Sequence, residues 1–160
     1  MSVSHNIPPV FDRESRILIL GSFPSVVSRD EAFFYVHPRN RFWRVLSAVF
    51  DESTPNTTEE KKDFLIRRHI ALWDVVRTCD IHASSDASIR QAEPNPIGII
   101  LNTANIEKIF VNGKTAEKYY IKLLYPTIGI TPVCLPSTSP ANARMSESDL
   151  IRCWKEALNS

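Results

Sequence analysis

Glycine is scarce in this chain, at four of 160 residues, and neither G-x-G-x-x-G nor G-x-x-x-x-G-K-[ST] occurs. Dinucleotide and P-loop nucleotide binding, which need such backbone cradles, are therefore disfavoured. The three cysteines, Cys79, Cys134 and Cys153, are far apart and form no C-x-x-C pair, which argues against a zinc ribbon or a redox dithiol and for reduced, buried thiols. The histidines, His5, His37, His69 and His82, lack metal-ligand spacing. The expectation is no metal and no cofactor. No apolar run approaches the ~18 residues a membrane span requires. Met1 to Pro9 carries neither a basic nor an apolar leader segment, so the expected location is the cytoplasm.

What is present suits one globular domain over residues 1–160. Hydrophobic residues make up 43% and charged residues 23%, with a net charge of +1, too apolar a mixture for a disordered chain. The charge is unevenly spread. Between Ala32 and Phe50 stand Arg39, Arg41 and Arg44 with no acid, whereas Asp51 to Asp63 holds five acids against Lys61 and Lys62. That segregation permits an anionic ligand on one face.

Four short, nearly continuous apolar runs read as strands covered on both faces: Arg16–Ser22, Ile70–Val76, Lys108–Gly113 and Ile130–Pro136. Helical spacing separates them. Phe42, Val45, Leu46 and Val49 form one stripe, with Pro38 placed in the first turn. Thr57 to Glu60 reads as a capping box. Ile97, Ile100 and Leu101 suggest a helix after Pro94-Asn-Pro96. Ala116, Tyr119, Tyr120, Leu123 and Leu124 form another stripe, and Ser146-x-x-Asp149 caps a last helix carrying Leu150, Trp154, Ala157 and Leu158. The alternation predicts a three-layer α/β/α sandwich around a mostly parallel four-stranded sheet. Ligands of such sheets gather at the C-terminal strand ends. The loops to search are Gly21-Ser-Phe-Pro-Ser25, Asp74-Val-Val-Arg-Thr-Cys79, Asn112-Gly-Lys-Thr115 and Leu135-Pro-Ser-Thr-Ser-Pro140, which should share one rim.

Phe33 to Trp43 packs five aromatics, a histidine and two arginines around Asn40. Rings beside cations suit stacking a base and holding phosphates, although such clusters also build cores. A helix opened by Pro38 would put Asn40 in its first turn, near free N–H groups. The loop after Leu135, stiffened by two prolines, could press on a duplex while its serines hold phosphate. Asp74 reads as ordering the turn after its strand and Asp86 as capping a short helix. Neither has a partner carboxylate of the glycosidase type.

Leu18-Ile-Leu-Gly-Ser-Phe-Pro-Ser25, His37-Pro-Arg-Asn-Arg-Phe-Trp43 and Leu135-Pro-Ser-Thr-Ser-Pro-Ala-Asn-Ala143 together resemble the hypoxanthine-DNA glycosylases, the sixth family of the uracil-DNA glycosylase superfamily. Asn112-Gly113 and the Asp74–Cys79 segment fall between these motifs in the expected order, and the resemblance spans residues 8 to 145. It implies a uracil-DNA glycosylase-like fold and a monofunctional enzyme of base excision repair. That enzyme hydrolyses the N-glycosidic bond of deoxyinosine, releasing hypoxanthine and leaving an abasic site after base flipping.

On this reading Asn40 is the catalytic residue, orienting water or bonding the leaving purine. Gly21, Ser22, Phe23, Phe34, Tyr35 and Asn112 hold the base. Pro24, Ser25, Arg39, Arg41, Ser137, Ser139, Asn142 and Arg144 contact DNA, and Arg144 or Met145 fills the gap left by the flipped base. Related families carry Asp or Asn where Phe23 stands and His or Asn where Leu135 stands. Catalysis here would thus rest on positioning and electrostatics. The partner is DNA, either duplex with a deaminated base or single-stranded, and the protein is expected to be a monomer away from membranes. Three alternatives compete: a uracil-preferring glycosylase, a non-catalytic nucleic-acid or nucleotide-binding domain on the same fold, and a flavodoxin-like domain.

Overall fold

The computed structural model describes residues 2–4, 7–24, 26–80 and 90–159. Its main sheet has four strands, β2 (Ile17–Gly21), β3 (Ile70–Asp74), β6 (Lys108–Asn112) and β7 (Val133–Leu135), in the order β3-β2-β6-β7. Every neighbouring pair is parallel. The apolar runs dictate this arrangement, since Leu18, Ile19, Leu20, Ile70, Ala71, Leu72, Phe110 and Val111 are fully buried, as strands covered on both faces must be. The flanking helices are α1 (Val26–Glu31), α2 (Phe42–Val49), α3 (Thr58–Arg67), α4 (Gly98–Leu101), α5 (Lys114–Leu123), α6 (Tyr125–Ile128) and α7 (Glu147–Leu158).

Two helix starts follow their sequence signals. Thr57 Oγ1 accepts from Glu60 N–H while Glu60 reaches back to Thr57 N–H, closing the capping box on α3. Ser146 caps α7 through Asp149 N–H. Trp154, fully buried on α7, stacks edge-on against Phe42 of α2 and donates its indole N–H to Pro136 O. The last helix thereby holds the loop that follows β7.

Three expectations change. Pro38 lies in a turn closed by Asn40 N–H on His37 O, where proline's fixed φ suits the second position. Helix α2 starts only at Phe42, so Asn40 precedes the first turn. The segment after Asp74 is not a strand-end loop. It continues as β4 (Val76–Asp80) in a second, antiparallel sheet with β1 (Ser2–Ser4) and β5 (Arg90–Pro94), in the order β1-β4-β5. Polar runs such as Arg-Thr-Cys-Asp and Arg-Gln-Ala-Glu carry no apolar signal, and only pairing within the second sheet reveals them as strands. Asn95 locks the junction, with its side chain donating to Asp74 O and its backbone N–H to Val75 O. Asp86 lies outside the described residues.

Ion pairs neutralise part of the charge segregation. Arg44 pairs with Glu147 at 2.8 Å, and Glu52 pairs with Arg67 and Arg68. Hydrogen bonds from those two guanidiniums hold the Glu52 carboxyl below its ordinary range. Cys134 and Cys153 are free and half-buried rather than fully buried. Burial pushes the Cys134 thiol up, away from reactivity.

Candidate active site

The chain leaves β2 to build β3 on one side, then crosses back to build β6 on the other. Loops from β2 and β6 therefore diverge and open a crevice at their C-terminal ends, the preferred ligand position of open parallel sheets. Gly21 ends β2 and Asn112 ends β6, and the aromatic segment and the post-β7 loop close over the same point.

Gly21 is required there by space. A Cβ at this position would lie 2.6 Å from Tyr35 Oη and closer still to Asp74 Oδ1. Asp74 is 3% exposed, and its carboxylate packs beside Gly21 at the crevice. Tyr35 reaches the crevice from a left-handed backbone, φ 52°, uncommon for a residue with a side chain. Its ring stacks on Phe42, with centroids 4.1 Å apart. Gly113, φ 100°, allows a second close approach, since a Cβ there would meet Ser137 Cβ at 3.0 Å.

Hydrogen bonds connect these groups in one direction. Thr138 N–H donates to Asn112 Oδ1 at 3.2 Å, which fixes the orientation of that amide. Asn112 Nδ2 donates to Tyr35 Oη at 3.3 Å and to Thr138 Oγ1 at 3.0 Å. Thr138 Oγ1 donates to Asn40 Oδ1 at 2.8 Å. The same Oδ1 accepts from Phe42 N–H at 2.9 Å, satisfying an orphan donor at the start of α2. Asn40 Oδ1 thus receives two donors, and Asn40 Nδ2 bonds to none of the described residues.

Thr138 is 0% exposed and was not singled out by the sequence reasoning, which named Ser137 and Ser139 on either side of it. The signal was available, because alternate residues of an extended segment face opposite ways. Ser137 Oγ accepts from Ser139 N–H and Ser139 Oγ from Ala141 N–H. Both hydroxyls keep a proton for an outside acceptor.

Other candidates fall elsewhere. Phe34 is 2% exposed and packs edge-on against Phe33, so its ring lies in the core and cannot stack a base as built. Phe23 is buried, with the Arg29 guanidinium 5.4 Å from its ring centre. Pro24 is buried, which removes it from a DNA surface, and Ser25 lies outside the described residues. Ser22 is half-buried at the crevice.

Arg41 is not a free phosphate ligand. Its guanidinium donates to the carbonyls of Met145 (2.7 Å), Asn142 (2.9 Å) and Ser139 (3.5 Å), clasping the post-β7 loop. Asn142 Nδ2 is likewise spent on Ser137 O. Met145 packs against the core, which argues against its filling a duplex gap, whereas Arg39 and Arg144 are exposed. The amide protons of Asn112 are both engaged internally, so Asn112 braces Tyr35 and Thr138 rather than offering itself whole to a base.

The family model described as Uracil DNA glycosylase superfamily matches residues 8–158. The chain belongs to the uracil DNA glycosylase superfamily. Two curated relatives named hypoxanthine DNA glycosylase are similar to this superfamily member over most of its length. The protein from Methanosarcina barkeri is 34% identical over 143 residues, covering 88% of this chain and 89% of its own. That from Methanosarcina acetivorans is 33% identical over 148 residues, covering 91% and 92%. A solution NMR structure of a uracil DNA glycosylase candidate from Methanosarcina acetivorans superposes with a TM-score of 0.79 at 31% identity, covering 98% of each chain. Among the described residues of this superfamily member, no His, Cys, Asp and Glu group could hold a metal ion, and no helix is long and apolar enough to cross a membrane.

Proposed function

We propose that this protein is a DNA glycosylase acting on hypoxanthine. Water replaces the purine at C1′ of deoxyinosine, hypoxanthine leaves with a proton, and an abasic site remains. The reading is carried by near-full-length similarity to two proteins named hypoxanthine DNA glycosylase. It extends to a single domain over residues 1–160, acting as a monomer in the cytoplasm without a cofactor. The deaminated nucleotide leaves the stack at a cost of a few kcal/mol, less at a mismatch, and enters the crevice between Gly21, Ser22, Tyr35 and Asn40.

Asn40 supports this chemistry through its amide nitrogen. With Oδ1 occupied by Thr138 and Phe42, the group it offers is an N–H donor, suited to an acceptor on the departing purine where negative charge develops. A neutral amide draws no proton from water, so water is left to attack a sugar already weakened by leaving-group stabilisation. Ser137 and Ser139 donate outward to phosphate. Arg39 adds an exposed cation, while Arg41 holds the loop that carries the serines.

Single-turnover incubation with labelled duplexes containing one deoxyinosine or one deoxyuridine, followed by alkali, tests the reading. Strand breakage at deoxyinosine is the expected result. Breakage only at deoxyuridine would keep the reaction and overturn the substrate. Retained binding without breakage at either would make the protein a non-catalytic binder.

The two arginines are expected to separate in the salt dependence of duplex binding. Arg39→Ala should lower the slope of log K against log salt by about 1, as loss of one phosphate contact does. Arg41→Ala should leave the slope in place and lower the melting temperature instead, because it strips the Met145 and Asn142 carbonyls of their donor. Arg41→Lys should not restore stability, since one ammonium cannot reproduce the guanidinium fork. A slope unchanged by Arg39→Ala would remove that residue from the DNA surface.

A further inference from the structure

The buried threonine between the two serines has no role in the functional reading so far, yet its hydroxyl joins Asn112 to Asn40. A hydroxyl has one proton. Thr138 Oγ1 accepts from Asn112 Nδ2, whose orientation is set independently by Thr138 N–H on Asn112 Oδ1. Its own proton is therefore committed forward, to Asn40 Oδ1 at 2.8 Å. Phe42 N–H, which can only donate, meets the same oxygen. Turning the Asn40 amide over would set Nδ2 against Phe42 N–H and take away the acceptor of the Thr138 proton. Such a reversal leaves two partly buried polar groups unpaired.

We infer that Thr138 is a positioning residue for excision: with Asn112 behind it, its hydroxyl holds the Asn40 side chain in the one orientation that presents Nδ2–H to the substrate. The inference rests on the proposed glycosylase reading. Thr138 is fully buried, so it acts through Asn40, 98 residues away in sequence. The direction of the relay also explains why an uncharged residue can serve at this place. A swinging amide would offer donor and acceptor alternately, whereas a locked one behaves as a fixed dipole that costs no reorganisation during reaction.

The test uses the full chain with three variants and two readouts. Thr138→Val keeps the shape and deletes the hydroxyl. Thr138→Ser keeps the hydroxyl. Asn112→Asp puts acceptors where Asn112 Nδ2 stood, so the Thr138 proton turns back toward residue 112 and leaves Asn40. Single-turnover excision from a deoxyinosine duplex is measured beside binding to a duplex carrying 2′-fluoro-deoxyinosine, whose glycosidic bond resists cleavage. Thr138→Val and Asn112→Asp are expected to slow excision about 10- to 100-fold, the scale of a displaced catalytic group, the uncharged Val variant with binding near that of the wild type. Thr138→Ser is expected to recover most of the rate.

Wild-type excision with an unaffected Thr138→Val rate would overturn the positioning role and leave the glycosylase reading intact. Equal losses of rate, binding and melting temperature in the Val and Ser variants would overturn it as well, in favour of plain packing. Failure of the wild type itself on deoxyinosine would instead overturn the functional reading on which the inference stands.

Discussion

Replacing Asn40 by Ala is expected to reduce hypoxanthine excision by at least about 10²-fold, the loss seen when one preorganised donor to a developing charge is removed. Duplex binding should remain close to that of the wild type. The side chain is half-exposed, and its packing contribution is small. Its structural work is to receive Thr138 Oγ1 and Phe42 N–H, so some loss of stability, about 1 kcal/mol as for a helix cap, should accompany the change.

Asn40→Asp is the sharper substitution, because it separates the two chemical roles open to the residue. One carboxylate oxygen would keep both donors. The other would stand where Nδ2 stands, turning a donor into an acceptor and adding negative charge. If Asn40 stabilises the departing purine, the Asp variant should be as inactive as Ala at every pH above the carboxyl's titration. If Asn40 instead orients water, the Asp variant should retain activity or exceed the wild type, with a rate rising as the carboxylate ionises. The occupied Oδ1 favours the first outcome. Near-normal turnover of Asn40→Ala would remove the residue from catalysis altogether.

Gly21→Ala is expected to be the most damaging single methyl in the protein. The added carbon would fall within 2.6 Å of Tyr35 Oη and nearer still to Asp74 Oδ1, and neither group can move freely. Asp74 is a short, buried side chain at the end of β3, and the Tyr35 ring is stacked on Phe42. Displacing Tyr35 removes one acceptor of the Asn112 amide, whose other bond, to Thr138, begins the relay that ends on Asn40. Overpacking of this kind costs about 1–3 kcal/mol, read as a fall in denaturation midpoint. Misplacing the crevice by about 1 Å should cost about 10²-fold in excision. Adding Tyr35→Phe to Gly21→Ala removes the colliding hydroxyl and should recover part of the stability without the activity. A Gly21→Ala protein of wild-type stability and rate would show that the crevice is looser than its contacts imply.

The sheet was legible because strands buried on both faces must be apolar throughout, and Arg16–Ser22, Ile70–Val76 and Lys108–Gly113 are nearly so. The capping box at Thr57 and the stripe from Leu150 to Leu158 were legible because their partners lie three or four residues away. The second sheet was not. Its strands β4 and β5 are polar, and only their pairing with each other and with β1 defines them. Helix α2 was displaced by four residues because proline fits a turn as well as a first helical turn, and the deciding bond is Asn40 N–H on His37 O.

By itself the sequence determined the α/β class, the order of the elements, the strand ends that had to be searched, and membership in the uracil DNA glycosylase superfamily, because patterning and ordered motifs are properties of the linear chain. Tertiary structure alone decided which atoms of those motifs are available. It withdrew Phe34 into the core, spent Arg41 on three carbonyls, and inserted Thr138 between Asn112 and Asn40. The physical reason is common to all three. A polar or aromatic side chain is free for a ligand only if no closer partner has claimed it, and here the claimants come from distant parts of the chain.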